Sequence, residues 1–208
     1  MHGMKKWLFF LLPLVLVGLL AACGPTSQEK GSDEEAEASA LPVLRIGVDE
    51  LKPFFYLDES GAYAGADEEV AAEACRRAGY TPQFVVVPWS ERDTYLENGS
   101  VDCLWTAFIQ DGREDDYLWT EPYLDSKLAA IVDQESPEQN AESLRCSVAV
   151  RAGSKAEDLF RSNNTLEAGI YACGTFEMAK TAFIKGYAGA LAGHEIVLRQ
   201  VKEDNPGL

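Results

Sequence analysis

"TPQFVVVPWSERDTYLENGSVDCLWTAF", residues 81–108, decides the fold class. An apolar, β-branched run (82–87) stops at Pro88-Trp89. A polar stretch with helical spacing follows, "SERDTYLENG", and a second apolar run, "VDCLWTAF" (101–108), comes after it. The spacing predicts strand, helix, strand. On the N-terminal side, "VLRIGVD" (43–49) is another short strand. "DEEVAAEACRRAG" (67–79) places Val70, Ala71, Ala74, Cys75 and Ala78 on one helical face. Asp67 and Glu68 suit that helix's positive start and Gly79 its end. Strands alternating with helices in this order argue for a parallel sheet with right-handed crossovers.

On the C-terminal side, "KLAAIVDQ" (127–134) is apolar and the loop that follows it is polar. A second series then runs "CSVAV" (146–150), "GSKAEDLFRSN" (153–163), "EAGIYAC" (167–173), "TFEMAKTAFIKG" (175–186), "AGALAG" (188–193) and "HEIVLRQVKED" (194–204). Phe176, Ala179 and Phe183 share one face of its second helix. The expectation is an α/β protein of two lobes, 41–126 and 135–208, with 127–134 as hinge or crossover. Ligands bind at the carboxyl ends of parallel strands and between lobes. The strand ends supply Trp89, Trp105, Thr106 and Phe108 from the first lobe, and Ser154, His194 and Glu195 from the second.

Residues 1–22 have a secretory signal's layout: Lys5 and Lys6, then an apolar run from Trp7 to Ala22. Met4 is an alternative start. That run is shorter than the ~20 residues that span a bilayer core. Leu20-Ala21-Ala22-Cys23 resembles a bacterial lipobox, whose cysteine carries a diacylglyceryl anchor and begins the mature protein. An ordinary signal with an incidental cysteine is the competing reading. Residues 23–40 then form a lipidated cysteine and an acidic tether too polar to fold. The expected location is the extracytoplasmic face of the cell membrane.

The 208-residue chain carries 18 Lys and Arg against 34 Asp and Glu, a net charge of −16. Nucleic acid and anionic lipid surfaces are poor partners for that field. Cys75, Cys103, Cys146 and Cys173 include no C-x-x-C pair, which argues against zinc. Either Cys146 and Cys173 are bridged across neighbouring strands, or all are buried thiols.

The blocks "LRIGVD", "YLDESG", "AGADEEVA", "NGSVDCLWTAF", "GREDDYLWTEPY", "SVAVRAGSKAEDLF" and "FIKGYAGALAGHEIVLRQ" occur in an order that resembles the family 3 extracellular solute-binding proteins, amino acid receptors of ABC importers. The likeness covers about Leu44 to Leu208. It implies a two-lobed periplasmic-binding-protein fold of type II, a free amino acid ligand, a membrane permease as partner, no cofactor and no catalysis. It assigns the ligand α-carboxylate to Arg113 and to the helix start at Ser154 and Lys155. It assigns the α-amino group to His194 or Glu195. Trp89 matches a ligand-lining position; Trp105, Thr106, Phe108 and Phe54 are further candidates. Asp67 reads as a helix cap, and Trp119, Pro122 and Tyr123 as structural.

Each assignment has a plainer rival. Arg113 could pair on the surface with Asp111, Glu114 or Asp115. Ser154 could be only an N-cap, Glu195 only a solvated first-turn residue, and the aromatics only core. Relatives of this family return to the first lobe after the last helix, so the first lobe is expected to lack that segment and its margin of stability. Two other functions share the fold: dehydratases or lytic transglycosylases, for which His194 and Glu195 are the available acid–base pair, and sensory modules.

Overall fold

The computed structural model describes residues 40–133, 144–162 and 169–207. Cys23, the signal, nearly all of the tether and most of the polar loop lie outside the described residues. The first sheet has the order β4-β1-β5. Strand β1 (Val43–Val48) pairs in parallel with β4 (Thr81–Val86), Ile46 opposite Phe84, and with β5 (Cys103–Leu104). The expected strand over 101–108 shrinks to those two residues. Thr106 (φ 111°) and Ala107 (φ 43°) turn the backbone out of the extended region.

Between β1 and β4 come a hairpin, β2 (Tyr56–Leu57) with β3 (Tyr63–Ala64), and helix α1 (Ala66–Ala78). Gly65 has φ 122°, and a Cβ there would lie 2.2 Å from the Phe54 carbonyl oxygen, so only glycine fits. Gly79 ends the helix in the left-handed region, its N–H donating to the Cys75 carbonyl. The buried face of α1 is Asp67, Ala71 and Cys75, while Val70 is exposed. The helix is therefore rotated from the apolar stripe read in the sequence, because a satisfied carboxylate takes a core position. A single 3₁₀ turn (Trp89–Glu91) leads into α2 (Arg92–Glu97).

The second sheet has the order β6-β9-β7-β8. Strand β7 (Val148–Arg151) lies parallel to β8 (Ile170–Cys173) and β9 (Ala190–His194). Strand β6 (Leu128–Val132) runs antiparallel to β9. The stretch read as a bridge is thus itself an edge strand of the second sheet. Helices α3 (Lys155–Ser162), α4 (Phe176–Ile184) and α5 (Glu195–Asp204) complete this half. Every residue of β7 is buried, as expected of a parallel strand covered on both faces.

One face packs Val148, Val150, Ala190 and Phe160. The other packs Ala149 and Leu191 against Phe176, Ala179, Phe183, Val197 and Leu198. The face predicted for α4 is the buried one. Leu51 and Phe54, from the loop after β1, insert into this second cluster. Through them the two sheets share apolar contact, and residues 40–208 form one compact unit.

A Cys146–Cys173 bridge is ruled out by register. Cys173 sits beside Arg151 at the far end of β7, and Cys146 precedes the near end. At ~3.3 Å per residue that offset is about 16 Å, whereas bridged cysteines need Cα atoms within ~7 Å.

Candidate functional site

The carboxyl end of β1 carries Asp49 and that of β7 carries Arg151, so strand ends from the two sheets meet. Their side chains form an ion pair, each about 5% exposed. Burial pushes the Asp49 carboxyl pKa up and the Arg151 guanidinium pKa down, and the attraction between them opposes both shifts. Arg92 and Arg113 add repulsion at Arg151.

Those three arginines gather round an aromatic step. Trp89 and Phe108 meet edge to face, with centroids 5.0 Å apart. The Arg151 guanidinium lies 4.9 Å from the Trp89 ring and Arg92 5.4 Å from it. Arg92 and Arg113 lie 5.2 and 5.4 Å from Phe108, distances at which a cation is held by a ring face. Tyr117 and Trp119 pack behind Phe108.

The Gly153 carbonyl, just after β7, accepts from both Arg92 Nη1 (3.2 Å) and Arg113 Nη2 (3.3 Å). Arg113 also bonds Asp158 of α3 at 2.6 Å. Gly153 has φ 72°, and a Cβ there would crowd Arg92 Nη1 and Ser90 Cα at 2.9 Å. Its lack of a side chain lets the halves come this close. Beside this contact lies a cavity of about 20 Å³, lined by Leu51 and, from the second half, by Arg151, Ser154, Lys155, Phe176 and His194 among others. That is space for about one water.

The structure thus brings Arg113, Ser154, Lys155, His194, Trp89 and Phe108 to one region. Arg113 pairs across the gap with Asp158, not on the surface with Asp111, Glu114 or Asp115. The Ser154 hydroxyl accepts from the Glu157 N–H at 3.2 Å, so it caps α3 while lining the gap. His194 is buried, and its Nδ1 shares a 2.6 Å hydrogen bond with the Ser126 hydroxyl. Burial, then the charge of Arg151, lowers its pKa to about 4, so the ring is neutral at pH 7.

The structure places the other expected residues elsewhere. Glu195 turns away from the gap, pairs with Arg199 at 2.8 Å and lines a separate cavity of about 500 Å³ beside Ser126 and Lys127. Its place as the first residue of α5 points it along the helix surface. Phe54 is core, 2% exposed, with its ring edge to His194. Trp105 packs on the first half's core and against Tyr123 instead of sharing a face with Trp89. Thr106 is buried and lends backbone shape. Asp67 is no helix cap. Its carboxylate accepts from the Ala107 N–H (2.9 Å) and the Tyr123 hydroxyl (2.7 Å), which pins the positive-φ pair.

Asp49, Arg92, Arg151 and Asp158 were missed. A signal existed for two of them: Asp49 and Arg151 each put a charge at the carboxyl end of a parallel strand, the position where ligands are met. Among the described residues, no group of His, Cys, Asp or Glu is arranged to hold a metal ion.

A family model described as bacterial extracellular solute-binding proteins, family 3, matches residues 44–208. No curated protein matches the chain. Similar solved structures include an ancestral arginine-binding protein bound to arginine. It has TM-score 0.75 and 21% identity, over 80% of this chain and 76% of that one. Holo ArgBP from T. maritima aligns with TM-score 0.73 and 22% identity, over 79% and 74%. An ABC uptake transporter substrate binding protein from Streptococcus pneumoniae with bound histidine aligns with TM-score 0.72 and 21% identity, over 80% and 71%. At these identities the likeness establishes a fold: two α/β lobes with a cleft between them.

Proposed function

The chain belongs to the bacterial extracellular solute-binding proteins, family 3, and from that premise we propose that it captures a free amino acid between its halves and releases it to an ABC permease. The first half is residues 41–126; β6 (Leu128–Val132) is paired into the second sheet and moves with the second half, so the hinge precedes that strand. The reading is of a receptor, without turnover. Relatives of the same fold that hold arginine, histidine or glutamine support an amino acid as cargo.

One observation carries the proposal. Arg113 is only 8% exposed, and its guanidinium stands between the halves, bonded to groups of the second. A planar fork of donors suits a carboxylate. The ligand's α-carboxylate replaces Asp158 on Arg113 and meets the N–H groups at the start of α3, beside Ser154 and Lys155. Asp49 supplies the buried negative charge for the ammonium group. Because Arg113 is bonded to Gly153 and Asp158 and Asp49 to Arg151, those contacts open by hinge motion before a ligand enters.

Calorimetry with the twenty amino acids on the chain lacking residues 1–22 tests this. We expect micromolar binding of one chemical class and a loss of at least about 100-fold in Arg113→Met, as befits a desolvated charge-assisted pair. Equal affinity in that variant would refute the role of Arg113.

A lipid on Cys23 and residence on the extracytoplasmic face complete the proposal, on the strength of the lipobox-like Leu20-Ala21-Ala22-Cys23. Labelling of cells with a tagged fatty acid should mark the protein and should fail in Cys23→Ser. Among the described residues, no helix is long and apolar enough to cross a membrane.

A further inference from the structure

We propose that the cargo is an amino acid whose side chain ends in a second carboxylate. The inference rests on the amino-acid-capture reading above and narrows it. Three guanidiniums, Arg92, Arg113 and Arg151, converge on the Trp89–Phe108 step, and all three residues are buried. Only one buried carboxylate, Asp49, stands opposite them among the described residues. The other acids in reach are Asp158 on Arg113 and Asp93, 3.7 Å from Arg92, and both are half exposed. Glu157 is committed to the Gly153 N–H and to Arg161.

Lys155 and a neutral His194 line the small cavity beside Arg151, so neither reduces the positive excess. The Arg92 Nε is buried with no hydrogen-bond partner among the described residues. Buried cations without matching anions are costly, and the cost falls when an anion arrives with the ligand.

An acidic amino acid brings two carboxylates and one ammonium. Its α-carboxylate takes Arg113, its ammonium takes Asp49, and its side-chain carboxylate takes the Arg151 that Asp49 releases, with Arg92 beside it. A basic amino acid would instead add a cation to a ring of three. It would also find the Trp89 face already stacked by Arg92 and Arg151. The relatives that hold arginine therefore do not set the expectation here.

The test is calorimetry with L-glutamate, L-aspartate, L-glutamine and L-arginine, on the wild-type chain and on Arg92→Met. We expect glutamate or aspartate to bind at least about tenfold tighter than glutamine, the factor of one charge-assisted hydrogen bond. We expect that gap to narrow severalfold in Arg92→Met at unchanged Tm. Should the variant unfold, the wild-type ratio of glutamate or aspartate to glutamine decides alone. Equal or tighter binding of glutamine or arginine overturns the acidic-cargo inference and leaves amino acid capture standing. Failure of these four to bind overturns the acidic-cargo inference, and failure of the other sixteen as well, in the full series described above, overturns both.

Discussion

His194 joins three facts at one residue: burial, proximity to Arg151 and a pKa of about 4 against an ordinary 6.5. Between those values the unfolded chain takes a proton that the folded chain refuses. Stability therefore falls as pH drops from 6.5 toward 4, and this contribution is complete above 6.5. The loss between pH 7 and 5 is about 2 kcal/mol. The buried Asp49 and Asp67 carboxyls, shifted upward, act in the opposite direction. Comparison of His194→Gln with the wild type isolates the imidazole: the variant should lose less Tm between pH 7 and 5. An equal loss would show that the ring does not carry the effect. Asp67 gives a second test. Tyr123→Phe removes one donor from its buried carboxylate and should cost roughly 1.5–3 kcal/mol in chemical denaturation. The place of Arg113 between the halves was expected from the family resemblance around "GRED". Asp49 and Arg151 carried only the weaker signal of a charge at a strand end, which reads locally as a polar stop. Only the register of two sheets meeting end to end turns the two into a pair.

At the scale of elements, hydrophobic period and end signals located nearly all the strands and helices. Burial of Phe176, Ala179 and Phe183 follows from their spacing alone. Two elements escaped for tertiary reasons. The strand beginning at Val101 stops early because Asp67, from a different element, captures the Ala107 N–H and holds a backbone turn that local propensity opposes. The same carboxylate rotates α1 about its axis. The junction before α1 is equally constrained. Gly65→Ala would place a methyl 2.2 Å from the Phe54 oxygen at a φ that L-residues avoid. It should destabilise by about 2–4 kcal/mol, from positive-φ strain and displaced backbone. A denaturant midpoint unchanged by this substitution would contradict the packing described for the hairpin and α1.

At the scale of the whole molecule, two α/β halves were legible from the repeated alternation of strand and helix. The cleft's charge was not, because a chain with net charge −16 gives no hint that arginines gather inside it. The halves touch through an internal ion pair, a shared carbonyl on Gly153 and the rim contact of Arg113 with Asp158. Asp158 is half exposed, so its bond is screened by salt and individually weak. Asp158→Ala should leave Tm nearly unchanged. It should tighten amino acid binding by severalfold in calorimetry, because the guanidinium is then unclaimed. Weaker binding in that variant would reassign Asp158 to the ligand itself.

On the proposed reading, the Arg113–Asp158 contact also means that the protein carries its own rival anion on a short leash. Only molecules that have let go of it can accept cargo, so the apparent dissociation constant is the intrinsic one divided by the released fraction. On that reading, evolution or an engineer can retune how scarce an amino acid the protein captures by editing one rim carboxylate, with every proposed recognition residue left as it is.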